Sequence, residues 1–88
     1  MKLKAANTTS TATNLSLGKA TAVAVTTTAV TLITIIDNTG TEAGTNGTLV
    51  GSISLPASVT QIIQKDADQF IKCSVTSAQY TPVARSSY

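Results

Sequence analysis

The chain has 88 residues, enough for one small domain, and a domain of that size buries only about 60–65% of the surface its unfolded chain exposes. Its net charge of +2 comes from six Lys and Arg against four Asp and Glu scattered singly, without the clustered cations and interleaved rings of a nucleic-acid binder. No histidine, a single cysteine (Cys73) and three large rings (Phe70, Tyr80, Tyr88) exclude an internal disulfide and a histidine-based zinc or acid–base site, and leave mainly Val, Ile, Leu and Ala to fill the core.

Thr, Val and Ile dominate, period-2 alternation recurs, and no sustained helical period is present, so the expected class is all-β. "MKLKA" alternates, with Met1, Leu3 and Ala5 opposite Lys2 and Lys4, and reads as a short first strand. "ANTTSTATN", residues 6–14, is small and polar without period, which predicts an extended arm. "LSLG" at 15–18 is a brief pairing segment. Residues 1–19 are thus the first strand and arm, 20–84 the β-domain and 85–88 a tail.

"TAVAVTTTAVTLITII", residues 21–36, has ten apolar residues and six threonines between Lys19 and Asp37, too short and too polar for a membrane span of about 20 apolar residues. The amino-terminal block lacks the apolar stretch that follows the basic start of a secretory signal. Val23 and Val25 share one face of a strand, whereas 29–36 is apolar on both faces, as in a central strand or one covered by another molecule. "DNTGTEAGTNGT", 37–48, is a hairpin tip with the turn pair Asn46-Gly47. "LVGSISLP" alternates Leu49, Gly51, Ile53 and Leu55 against Val50, Ser52 and Ser54 and stops at Pro56. "SVTQIIQ" follows, then a tight "KDADQ" connection whose Asp66 and Asp68 suit capping of local amides. "FIKCSV" sets Ile71, Cys73 and Val75 opposite Phe70, Lys72 and Ser74, and in "QYTPVA" Pro82 argues for an edge strand. Six or seven short strands with turns every 8–12 residues predict a small antiparallel β-sandwich or barrel with an extended amino-terminal arm.

Catalytic chemistry has little to work with: the four carboxylates Asp37, Glu42, Asp66 and Asp68 all fall in turns. "DAD" lacks the further ligands of a calcium loop, the glycines fit no phosphate-loop or dinucleotide spacing, and Cys73 lies on an apolar strand face. The expected protein has no catalytic residues, cofactor or metal. Asn-X-Ser/Thr triplets at Asn7, Asn14 and Asn46 are explained by the abundance of threonine.

The order of a Thr/Val-rich strand pair, "DNTG", a Gly-containing hairpin, "GSISLPASVTQIIQKDADQFI" and a closing "YTPVA" resembles the short β-rich virion structural proteins of tailed bacteriophages, over roughly residues 20–84. In that group a "G-S-x-x-L-P-A-G" segment is expected, and this chain carries Ser58 at the last glycine. The resemblance implies a multi-copy virion protein, most naturally a decoration or cement protein on the major capsid protein at the capsid surface. A neck, tail or fibre-associated virion protein is the alternative within that class, and a carbohydrate-binding adhesive module the alternative outside it. Partner contacts are expected from the arm (Asn7, Thr8, Thr9, Thr11, Thr13), from the 29–36 strand (Thr31, Ile33, Ile35) and from the tail (Arg85, Tyr88). A thin core without cross-links further predicts association into a homo-oligomer or a larger assembly, with no role for nucleic acid or membrane.

Overall fold

The computed structural model describes residues 2–84, so Met1, Arg85 and Tyr88 lie outside the described residues. Among them are seven strands and no helix: β1 (Thr8–Thr9), β2 (Ala22–Thr26), β3 (Thr31–Ile36), β4 (Leu49–Leu55), β5 (Thr60–Gln64), β6 (Phe70–Cys73) and β7 (Gln79–Pro82). They form two antiparallel sheets, β1-β7-β2-β5 and β4-β3-β6. The all-β expectation therefore holds. Only β3 and β4 form a hairpin between neighbours in both sequence and sheet; β2 to β3 and each step from β4 to β7 cross between the sheets.

The core lies between the sheets. Val23 and Val25 of β2, Ile33 of β3, Ile71 and Cys73 of β6 and Tyr80 of β7 bury one face each, joined by Leu55 and Ala78 and flanked by half-buried Leu15, Ile35, Val59 and Ile63. The strand buried on both faces is β2, because Ala22 and Ala24 are small enough to be covered on the outer face by Val83 and Ile62. By contrast β3, read from sequence as apolar on both sides, is central in its sheet but leaves Leu32 exposed on its outer face.

The amino-terminal segment corrects the expectation of an extended arm. Lys4 N donates to Pro82 O (2.9 Å), Ala84 N to Lys2 O (2.8 Å), and Leu3 bridges to Val83. β1 pairs with β7, and Ser10 N donates to Ala78 O (2.8 Å). The segment then passes to the other sheet, where Thr11 O accepts from Cys73 N (3.0 Å) and Leu15 exchanges two backbone bonds with Ile71 (2.9 and 3.0 Å). Ser10 and Asn14 are fully buried along this path. Residues 2–15 are thus an internal strap closing the β7–β6 side of the sandwich. A backbone without apolar period can still order itself when both sheet edges it crosses offer ladder partners.

The strap also explains Pro82, which the sequence places on an edge. β7 lies between β1 and β2. Pro82 O faces Lys4 and so does its nitrogen, which lacks a proton; it falls between the stretch paired by Lys2–Lys4 and the stretch paired by Thr8–Thr9. The missing donor meets a gap in the ladder, so an internal strand tolerates it.

The 37–48 connection is built around Asn14 and glycine. Asn14 Nδ2 donates to Asn46 O (2.8 Å) and Thr41 O (3.2 Å), Asn14 N to Gly44 O (2.7 Å), and Asn14 O accepts from Ala43 N (2.7 Å). Gly47, at φ 131°, adopts a conformation that L side chains rarely take, and a Cβ there would overlap a methyl of Ile36. The turns of this connection close at Asp37–Gly40 and Thr41–Gly44 and not at the Asn46-Gly47 pair expected from sequence, while Gly47 is required by space as well as dihedral angle.

Candidate functional site

Three of the four sheet edges are short, polar or covered. β1 is two residues long, β5 reads Thr-Gln-Ile-Ile-Gln, and β6 is covered by the strap at Thr11 and Leu15. The fourth, β4, is seven residues long, carries no charge and runs along the outside of its sheet. Leu49 is 59% exposed, Val50 54% and Ile53 49%, although Ile53 stands directly opposite the buried Ile33 on the face that points toward the other sheet. The opposing sheet does not reach far enough to cover Ile53. Leu32 and Val30 add exposed apolar surface nearby on β3 and just before it.

The backbone of this edge is open as well. Leu32 O accepts from Ser74 N (3.0 Å), so Leu32 faces β6, and its neighbours Thr31 and Ile33 face β4. By the alternation of an antiparallel ladder, Ile53 and Leu55 face β3 while the N–H and C=O groups of Ser52 and Ser54 point away from the sheet. Edge strands normally carry charges, prolines or bulges against intermolecular pairing. Here the one such device is a register shift at the Val50 end, which leaves Gly51–Leu55 regular.

The residues that sequence reasoning assigned to a partner lie elsewhere. Thr31 and Ile33 are fully buried and Ile35 packs against the same core, because the register sets Thr31 beside Leu55 and Ile33 beside Cys73, all facing inward. Thr31 Oγ1 donates to Ala29 O (2.7 Å), which satisfies its buried hydroxyl. These three form part of the fold and not an outward surface. Asn7, Thr8 and Thr9 are exposed on the strap, with Asn7 Nδ2 donating to Gln79 Oε1 (3.1 Å), while Thr11 and Thr13 share a hydroxyl bond (3.0 Å). Leu49, Val50 and Ile53 were visible in "LVGSISL" as an uncharged alternating strand; whether the opposing sheet covers them is not encoded locally.

Several of the remaining polar groups hold turns and connections. A shallow cleft of about 450 Å³ is lined by Ser16, Lys19, Asn38, Ala67, Asp68 and Phe70, with a Lys19–Asp68 pair at 3.7 Å exposed to solvent on both sides. The "KDADQ" turn is capped by Gln69 and not by its aspartates: Gln69 Oε1 accepts from Asp66 N (2.8 Å). Asp37 does act as a cap, and the Thr39 hydroxyl together with the Thr39 and Thr48 amides holds its carboxyl below the usual value. Lys65 is buried, donates to Gln69 O (2.8 Å), and has its pKa lowered by that burial against the pull of Glu42, Asp66 and Asp68. Among the described residues no three His, Cys, Asp or Glu side chains gather as metal ligands. No helix among them is long and apolar enough to cross a membrane. Tyr80, one of the three large rings, is fully buried and donates its hydroxyl to Cys73 Sγ (2.9 Å).

Compared with protein-family models, with curated proteins and with solved structures, the chain finds no match in any of the three.

Proposed function

We propose that this chain is a non-enzymatic structural module that works in many copies within an assembly, in the setting its sequence resemblance suggests: a decoration or cement protein on the major capsid protein of a tailed phage. The observation that carries the assembly part is the β4 edge, where Leu49, Val50 and Ile53 are half exposed on an uncharged strand with outward backbone groups. Such an edge is an aggregation hazard on an isolated molecule and an asset on one that is covered in its working state. The absence of histidine and the use of Asp37 as a turn cap and Lys65 within a turn agree with a structural role. The virion setting rests on the resemblance over residues 20–84.

The test is location and copy number. Labelled chain should co-purify with particles and be counted at the multiplicity of the shell; a count of a few per particle would move the reading to the neck or tail. A chain that never associates with particles would overturn the virion setting. An adhesive module would stack sugar rings on exposed aromatics, and Tyr80 lies inside the core.

A further inference from the structure

We infer that β4 pairs with β4 of a second copy of this chain, antiparallel about a two-fold axis through Ser52, joining two three-stranded sheets into one of six strands. The inference deepens the assembly reading, from which it takes the premise that this edge is covered. What it adds is the identity of the cover.

A strand edge that pairs with itself across a two-fold must present outward amides opposite outward carbonyls, and must not set like charges or two large side chains in the same space. β4 meets each condition. Ser52 and Ser54 aim their backbone groups outward, so Ser52 opposite Ser52 of the other copy forms a hydrogen-bonded pair on the axis. The strand "LVGSISL" contains no charge, so no repulsion arises in any antiparallel register. In the Ser52-centred register Ile53 stands opposite Gly51 of the second copy, in a non-hydrogen-bonded pair where side chains approach most closely. A Cβ at Gly51 would meet nothing within 4 Å, so there is room beside it for the half-exposed isoleucine of the other copy. The same register overlaps all seven residues and brings Leu49 of one copy to the Leu55 end of the other.

A foreign strand would need the same complementarity without symmetry to supply it. β5, the other uncovered edge of reasonable length, differs in each respect: it is shorter, is flanked by two glutamines and is followed at once by Lys65. The area is modest. Pairing seven residues with their flanking side chains buries on the order of 1,000–1,200 Å² in all, the lower end for a specific interface, which corresponds to a dimer of micromolar affinity and not an obligate one.

The experiment uses the whole chain in sedimentation velocity over a concentration series. A reversible monomer–dimer equilibrium with Kd on the order of 10 µM is expected. Ser52→Pro removes an outward N–H without touching a β3 ladder bond, and Ile53→Lys places a charge beside its symmetry mate. Each should weaken the dimer at least tenfold, and the lysine variant stands alone should the proline variant lose its circular dichroism. Ser52→Cys should form an interchain disulfide on mild oxidation, since paired Cα atoms there lie about 5.5 Å apart, while Gln61→Cys on β5 should not. Wild-type chain that stays monomeric into the high micromolar range, a dimer indifferent to both edge variants, or equal cross-linking at 52 and 61 would each overturn the pairing. A monomer that still joins particles sinks this inference alone; a β4 dimer that never joins particles sinks only the virion setting.

Discussion

Replacing Asn14 by alanine isolates the side chain on which the 37–48 connection depends. Asn14 is fully buried, and its Nδ2 donates to Thr41 O and Asn46 O, tying both arms of the 37–48 connection to the strap. Truncation removes two hydrogen bonds, each worth about 1 kcal/mol net, and strips two carbonyls of their donor, so roughly 2–4 kcal/mol should be lost. Small domains hold about 5–15 kcal/mol in total, so the change is a large share. With a urea dependence near 1 kcal/mol/M for a chain of this size, the midpoint followed by circular dichroism should fall by about 2 M or more. Asn14→Asp sharpens the test. It keeps the shape but turns an acceptor toward two carbonyl oxygens, so near neutral pH it should cost more than alanine and recover in part as the pH falls and the acid is protonated. A midpoint shift below about 0.5 M for alanine, or an aspartate variant as stable as wild type, would refute the view that donation by Nδ2 holds this connection.

Stability should be flat between about pH 5 and 8 and fall above that range, because burial keeps the Tyr80 hydroxyl and the Cys73 thiol protonated in the fold while the unfolded chain ionises them near 10 and 8.5, and so binds fewer protons. Lys65, with its pKa lowered by burial, opposes this near pH 10 since the unfolded chain there holds the extra proton; urea midpoints that stay level or rise between pH 9 and 11 would contradict the dominance of Tyr80 and Cys73. Ser58→Gly should stabilise by about 0.5 kcal/mol, raising the calorimetric Tm by roughly 2–4 °C, because Ser58 holds φ 61° at the position where the resemblance expects glycine. Gly47→Ala should cost about 3 kcal/mol or more and depress soluble yield, through the overlap with Ile36 combined with an unfavourable φ of 131°. Chain lacking residues 2–15 should fail to give a cooperative melt, since the strap covers the β6 edge and buries Ser10 and Asn14; an unchanged melting curve would restore the picture of a detachable arm.

What the sequence makes legible here is what is decided within one strand. The alternation of Val23 and Val25 and of Ile71 and Cys73 is local, and each inward face follows from it. The strap was not legible because "ANTTSTATN" owes its order to partners more than 60 residues away in sequence, Val75, Ala78 and Gln79, while its own side chains are the small polar ones of a linker. The outward face of β3 was misassigned for a related reason. "TLITII" has apolar residues in both phases, and only the register against Leu55 and Cys73 decides that Thr31 and Ile33 turn inward and Leu32 outward. Pro82 does not mark an edge strand because the missing donor concerns one side of one residue and not the strand as a whole.

The sandwich is closed on one side and open on the other, and chain length accounts for the asymmetry. On the β7–β6 side the strap has about a dozen residues with which to cross from sheet to sheet and seal the edge. On the β4–β5 side residues 56–59 alone connect Leu55 to Thr60. Four residues reach at most about 14 Å, enough to step between sheets packed about 10 Å apart but not to turn back along the edge. Burial should then fade along the inward face beyond that connection: Leu55, beside it, is 5% exposed and Ile53, two residues on, 49%. The exposure of Ile53 is therefore not a failure of packing. It follows from a seam that the chain's own connectivity leaves unsealed, and a covering strand supplied from outside would run along that seam.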